Sequence, residues 1–230
     1  NLKNLRDKDT FTVVTGHQLN ILTGPLYFIY KISSTIALCR QLKGRYPDQN
    51  FVPVFWMASE DHDFEEISFV NLAGGRVQWK QDWKGAVGKM PLHGMGKVLD
   101  ELEEILGRGE QARELLQIFR QAYHHSDSLA EATRKIVHQL FGSEGLVILD
   151  GDAPELKHLV RDLFWEDLTE HQLEKNINAS TERLEPHYHK QAHPREINLF
   201  YLRPGRRDRI ERNGDHWLVE DSSLKFTRRE

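Results

Sequence analysis

The spacing of apolar residues changes along this chain, and each change predicts an element. In "TFTVVTG", residues 10–16, β-branched residues run up to a glycine, which predicts a first strand. In "PLYFIYKISSTIALCRQLK", about 25–43, Leu26, Ile29, Ile32, Ile36 and Cys39 recur at helical spacing and predict a long helix. "HQLNILTGP" leads into it, with Thr23 placed to cap and Pro25 suited to a first turn, where its missing N–H loses nothing. "FVPVFWM", 51–57, is continuously apolar, as in a strand covered on both faces, although Pro53 counts against a central position. "SFVNLAGGRVQWK" predicts a strand and a turn, the arm of a hairpin, and residues 82–96 read as a loop. Helices are expected at about 97–107, 110–124 and 128–141, the last with Leu129, Ala132, Ile136 and Leu140 on one stripe. "GLVILDGD", 145–152, is the clearest strand, and a helix over about 154–176 follows, with Pro154 in its first turn. "INLFYLRPG", 197–205, predicts a strand and a turn, and "RDRIERNGDHWLVED" a hairpin through Asn213-Gly214.

Strands alternating with helices in this order predict an α/β fold with a mostly parallel sheet. Ligands of such sheets sit outside the carboxyl ends of the strands. Residues 16–18, 60–63 and 150–152 each follow a predicted strand, so a parallel sheet would gather them on one rim.

Composition narrows the function. A formal net charge of −4 over 230 residues argues against a nucleic-acid surface, despite the local basic run from Arg203 to Arg212. A single cysteine, Cys39, excludes an internal disulfide and a four-thiolate zinc site, which fits a reducing, cytoplasmic setting. No run approaches the ~20 apolar residues of a membrane span, and "NLKNLRDKDT" lacks the apolar core of a signal peptide. A start without Met and an abrupt close at "KFTRRE" predict a piece of a longer protein.

The predicted rim carries the candidate chemistry. Gly16, His17 and Gln18 follow the first strand and Gly24 precedes the first long helix, whose N-terminus offers N–H groups to phosphate or carboxylate. His17 can donate to a phosphate or an oxyanion, or simply to a loop carbonyl. Neither GxGxxG nor a GxxxxGK[ST] loop is present, which disfavours the ordinary dinucleotide site and the P-loop. Glu60, Asp61, His62 and Asp63 can hold an amine, accept a proton or bind Mg²⁺, unless they are helix caps on a solvated loop. Their spacing matches no zinc pattern, and no metal site is assigned. Asp150 and Asp152 are placed for a ligand hydroxyl or amine, or to cap the next helix. Lys225, near Ser222 and Ser223, can grip a phosphate. His193, Arg195, Glu196 and Asn198 precede a predicted strand and would lie away from the rim if that strand ran parallel, in structural roles. The five tryptophans read as core or interface residues.

"TGHQLNILTGPLYFIYKI", "VPVFWMASEDHDFEEI", "GLVILDGD", "HPREINLFYLR" and "VEDSSLKFT" together resemble the BshC family of bacillithiol biosynthesis, in order and along essentially the whole chain. The resemblance implies a Rossmann-like core related to class I aminoacyl-tRNA synthetases, with inserted connecting segments and a C-terminal coiled coil supporting a homodimer. On that basis residues 1–80 would be the first part of the core, 81–143 a helical connecting segment, and 144–230 a continuation with a hairpin-like insertion. It implies a ligase that joins cysteine to glucosaminyl-malate, with ATP and Mg²⁺ as cofactors of carboxylate activation. Gly16, His17, Gln18, Gly24 and Lys225 would then hold nucleotide. Asp61, His62 and Asp63 would orient an amine and supply the base, and Glu60, Asp150 and Asp152 would contact substrate. The competing expectation is a non-catalytic nucleotide-binding or scaffold domain whose acidic rim docks a partner. Nucleotide acting as a regulator is a third.

Overall fold

The computed structural model describes residues 1–73 and 75–227. Contacts divide the chain into two compact units, Asn1–Asp152 and Ala153–Glu230.

In the first unit, β1 (Thr10–Gln18) leads to α1 (Leu26–Arg45) and then to β2 (Asn50–Ala58). A one-turn helix, α2 (Phe64–Ile67), and two strands, β3 (Phe69–Leu72) and β4 (Gly75–Gln78), follow. Three helices, α3 (Met95–Leu106), α4 (Glu110–His124) and α5 (Leu129–Phe141), precede β5 (Val147–Asp150). β1, β2 and β5 form a parallel sheet with β2 in the middle, and β3 and β4 pair antiparallel as a separate hairpin. The α/β architecture with a parallel sheet is therefore as the alternating pattern predicts. Pro53 is tolerated in the middle strand because β5 pairs with β2 only from Val54 onward. At Pro53 the strand has a partner on one side, so one side of the backbone needs no ladder donor.

Burial explains the helices. α1 buries Phe28, Ile32, Thr35, Ile36 and Cys39, a face at helical spacing, and packs on β1 and β2. Leu26, read as the first residue of that stripe, instead lies exposed at the helix start. α3 buries Met95, Val98, Leu99 and Leu102, and α4 buries Leu116, Phe119 and Tyr123. α5 buries Leu129, Ala132 and Ile136, while Leu140 is only partly covered. α3 stops at Gly107, whose N–H returns to the Glu103 carbonyl. α5 starts at Ser128, whose hydroxyl accepts from the Glu131 N–H. Each large side chain fully buried here contributes roughly 1.5–3 kcal/mol. Cover over the sheet is uneven: Val52, Val54, Phe55 and Met57 of β2 are buried, whereas Phe11 and Val14 of the edge strand β1 are exposed.

The second unit contains α6 (Pro154–Leu159), α7 (Arg161–Glu170) and α8 (Gln172–Leu184), then β6 (Phe200–Arg203), β7 (Arg206–Asn213), β8 (His216–Val219) and β9 (Lys225–Thr227). The single helix expected over 154–176 is thus three. Val160 leaves helical geometry, and His171 adopts a left-handed conformation, φ 55°. His171 is held there by its Nδ1, 2.8 Å from the Glu196 carbonyl, and by Arg212 Nη1, 3.2 Å from its Nε2. β6 to β9 form a separate antiparallel sheet, so β6 is not a strand of the parallel sheet. The expected hairpin forms between β7 and β8, with Gly214 at φ 61°. The basic run is neutralised internally: Arg203 and Arg206 both donate to the buried Asp208, and Arg209 and Arg212 face Glu220 and Glu196. Among the described residues no helix is long and apolar enough to cross a membrane.

Candidate functional site

Parallel pairing puts the carboxyl ends of β1, β2 and β5 on one edge. His17, Met57 and Asp150 lie in register across it. The polar groups that follow these strands form two clusters.

The first cluster joins the end of β1 to the segment after β2. The Gln18 amide nitrogen donates to Asp61 Oδ2 at 2.9 Å and to Glu66 Oε2 at 2.9 Å. One amide thereby bridges two carboxylates that would otherwise repel. Asp61 Oδ1 accepts from the backbone N–H groups of His62, 2.7 Å, and Asp63, 3.4 Å. Burial pushes the Asp61 carboxyl up, but the bonds from Gln18, His62 and Asp63 and the nearby His62 ring outweigh it. The net shift is downward. His62 Nδ1 lies 3.5 Å from Asp61 Oδ1. Asp63 caps α2 by accepting from the Glu66 N–H, and among the described residues Glu60 Oε2 is buried without a hydrogen-bond partner.

His17 packs its ring edge-on against Phe28 and Tyr27. Its Nδ1 lies 3.1 Å from both the Gln18 carbonyl and the Asn20 amide, so the tautomer selects which bond forms. Burial lowers its pKa, the Gln18 carbonyl opposes this, and Lys31 adds to it, leaving His17 disposed to the neutral form. Lys31 donates to the Gly16 carbonyl. A cavity of about 810 Å³ opens beside these residues, with Gln18, Asn20 and Glu66 as polar lining and Leu102, Leu115 and Phe119 as apolar wall. The first turn of α1 borders it, and no side chain caps that turn. Thr23 is therefore not the expected cap. Pro25 holds the cap position, and Thr23 has φ 65°, next to Leu22 at 52° and Gly24 at 55°, whereas a capping residue has extended backbone. A Cβ at Gly24 would lie 2.3 Å from the Asn20 Cβ, so the glycine serves loop closure as well as lining the cavity.

The second cluster joins the ends of β2 and β5. Ser59 Oγ donates to Asp150 Oδ1 and accepts from the Asp152 N–H at 3.2 Å. The same Asp152 N–H lies 3.0 Å from Asp150 Oδ1. Lys89 Nζ lies 3.2 Å from Oδ2 of Asp152, whose side chain is buried. Gly88 closes on Ser59: its N–H donates to the Ser59 carbonyl, and a Cβ there would lie 2.6 Å from the Ser59 Cβ. A cavity of about 190 Å³ lies between Ser59, Lys89, Arg134, Asp150 and Asp152.

The structure thus gathers Gly16, His17, Gln18, Gly24, Glu60, Asp61, His62 and Asp63 around β1 and β2, and Asp150 and Asp152 at β5. Lys225 stands exposed on β9 of the second unit. In that unit Asn198 ties the 193–198 loop, through Arg195 and through the buried Asp167, whose Oδ2 accepts the Asn198 N–H at 2.8 Å. Of the tryptophans, Trp79 is fully buried and Trp56 is 39% exposed. Sequence reading missed Asn20, Ser59, Glu66, Lys89 and Arg134. Ser59 and Glu66 were adjacent to the acidic motif, whereas Lys89 and Arg134 come from distant segments that only the fold joins. Among the described residues no three His, Cys, Asp or Glu side chains are grouped to hold a metal.

Comparison with known proteins gives the family of the chain. The family model described as "Bacillithiol biosynthesis BshC, N-terminal Rossmann-like domain" matches residues 1–230. A BshC protein of Flavobacterium johnsoniae, named as a candidate cysteine ligase, is 42% identical over 228 residues, covering 99% of this chain and 43% of that protein. Its counterpart in Flavobacterium psychrophilum is also 42% identical, over 100% of this chain and 43% of its own. That of Christiangramia forsetii is 42% identical over 100% and 44%. The chain spans less than half the length of these curated relatives. It belongs to the BshC family, as its N-terminal Rossmann-like domain.

Proposed function

We propose that this chain supplies the catalytic rim of a cysteine ligase that joins cysteine to the amine of glucosaminyl-malate with ATP. The observation that carries the reading is the convergence of two polar clusters at the carboxyl ends of three parallel strands, in a chain of the BshC family. The cavity beside His17 has the size of a nucleotide pocket, and the uncapped first turn of α1 offers N–H donors to a phosphate. Lys31 is turned to the Gly16 carbonyl, so backbone dipoles, with His17 and Gln18, would meet the phosphates there. Mg²⁺ would arrive on ATP with part of its water shell. Lys225 is a separate candidate phosphate contact within the second unit.

Amide formation from a free carboxylate needs activation. The cysteine carboxylate attacks the α-phosphorus of ATP and pyrophosphate leaves. The amine of glucosaminyl-malate then attacks the acyl carbon, the acyl–oxygen bond breaks, and AMP leaves. The amine proton passes to the Asp61–His62–Asp63 segment, where Asp61, held ionised by its donors, orients the amine. Glu60, Asp150 and Asp152 contact substrate. The segments 1–80, 81–143 and 144–230 are taken as core, connecting helices and core continuation with a hairpin insertion, and the full-length form as a cytoplasmic homodimer.

The test uses full-length protein with glucosaminyl-malate and cysteine, with and without ATP and Mg²⁺, following thiol product and AMP by mass spectrometry. Product and AMP should appear only with ATP. Asp63→Asn separates charge from capping, because Asn caps a helix as well as Asp. The variant should melt like the wild type and lose at least about a hundredfold in rate, the lower end for a catalytic proton-transfer or orienting group. No product with any nucleotide sinks the ligase reading, and a fully active Asp63→Asn removes Asp63 from the site.

A further inference from the structure

The small cavity between β2, β5 and α5 has a charge pattern that the rest of the rim lacks. Two of its groups are already matched: Lys89 faces the buried Asp152 at 3.2 Å. Glu131 is engaged as well, by Lys135 at 2.8 Å and by the Asp127 N–H at 3.0 Å. Two groups remain. Arg134 makes no hydrogen bond or ion pair among the described residues, and Asp150 uses Oδ1 for Ser59 and Asp152 but has no such partner at Oδ2. Among the described residues, one cation on α5 and one carboxylate oxygen on β5 therefore border the same cavity with no hydrogen-bond or ion-pair partner, and Glu131 acts on Arg134 only through its longer-range charge.

Size and charge together restrict the ligand. About 190 Å³ corresponds to roughly six water molecules at about 30 Å³ each, room for a ligand of seven or so heavy atoms. That is below the roughly 300 Å³ at which pockets for drug- or nucleotide-sized ligands begin. Lys89 and Arg134 balance Asp150 and Asp152, so a neutral zwitterion leaves the site neutral, whereas a dicarboxylate or a nucleotide would bring unmatched negative charge. Met57, fully buried, supplies an apolar and polarisable wall suited to a thiol.

We propose that this cavity is the amino-acid subsite: it takes free cysteine as the zwitterion, with the carboxylate on Arg134 and Lys89 and the ammonium on Asp150. The assignment rests on the ligase reading above and refines it, leaving the Asp61 cluster to the incoming amine. Arg134 and Lys89 become binding residues that hold the carboxylate in the orientation it needs for activation.

Titration calorimetry on the full-length protein, in the presence of a phosphine reductant, tests this with four probes. These are L-cysteine, cysteamine (no carboxylate), 3-mercaptopropionate (no amine) and malate. Losing either charged group should weaken binding roughly tenfold to a hundredfold, the worth of one charge-assisted hydrogen bond. Arg134→Gln, at an exposed position that tolerates substitution, should weaken L-cysteine and 3-mercaptopropionate and leave cysteamine unchanged. Asp150→Asn should do the converse, and if it fails to fold, the Arg134→Gln probe pattern decides alone. The proposal is overturned if L-cysteine does not bind, if malate binds more tightly, or if Arg134→Gln leaves L-cysteine affinity unchanged. Probe-selective binding without ligase turnover would end the ligase reading and keep the subsite. Turnover with an unchanged KM for cysteine in Arg134→Gln would do the reverse.

Discussion

The two units of this chain are held together by different means. The first closes around apolar side chains, with Leu19, Phe28, Phe55, Leu99 and Leu129 at or near zero exposure. In the second, the buried residues among those described are Ile197, Val219, Asp167 and Asp208, so half of them are carboxylates. Its helices α6 and α8 bury nothing, and α7 buries only Asp167, while Leu159, Leu163, Leu173 and Leu184 stay exposed. Hydrogen bonds and ion pairs do more of the organising there: Asp167 holds the Asn198 backbone, and Asp208 collects Arg203 and Arg206. Buried pairs of this kind specify geometry but add little net stability, because desolvation offsets the attraction. The rim stands on the unit that holds the apolar core.

The contrast predicts its own largest effect. Leu99→Ala, at a fully buried site, should cost about 3–5 kcal/mol through lost burial and a residual cavity. Leu163→Ala, 62% exposed in α7, should stay within about 0.5 kcal/mol. Urea unfolding of both variants measures this, and equal costs would mean that the second unit carries a core these residues do not reveal. A smaller effect concerns backbone. Gly24 and Gly214 both have positive φ, so Ala at either incurs strain of about 1–2 kcal/mol. At Gly214 nothing lies within 4 Å of the new Cβ, whereas at Gly24 the Asn20 Cβ is 2.3 Å away. Overpacking should add roughly 1–3 kcal/mol at Gly24 alone. Similar melting temperatures for the two variants would show that the β1–α1 loop relaxes freely.

The same division governs what the sequence disclosed. Helices with a continuous buried stripe, α3 to α5, were legible almost to their ends, because burial imposes the period that reading detects. The parallel strands were legible as apolar runs, and their shared polarity placed residues 16–18, 60–63 and 150–152 on one edge. The stretch after Pro154 misled because no buried stripe disciplines it. Its break at His171 is set by Glu196 and Arg212, 25 and 41 residues away. Thr23 misled for a different reason: a cap requires extended backbone, and three successive positive φ values deny it. Lys89 and Arg134 were invisible as site residues, since nothing local marks a cation that meets β5 only through tertiary packing. The acidic motif was visible, but its division of labour was not. A helix cap was one of the two readings of the motif, and Asp63 is that cap, whereas the hold of Gln18 on Asp61 needs coordinates.

The smallest expected effect lies where the first unit's packing reaches the rim. Burial against Phe28 and Tyr27, aided by Lys31, lowers the His17 pKa in the folded chain below its ordinary value near 6.5. Between those two values the unfolded chain binds a proton that the folded chain does not. Stability therefore rises with pH in that window, is complete above about pH 6.5, and is lost as pH falls toward the folded value. His17→Gln keeps a polar group and removes the titration. Melting temperatures of wild type and variant, followed from pH 7.5 to 5, should run parallel above about pH 6.5 and diverge below it, with the wild type falling faster. Parallel curves throughout would mean that the ring titrates as it does in the unfolded chain. His17 would then be no more sheltered than a surface histidine, and the packing that distinguishes the first unit would stop short of the strand ends.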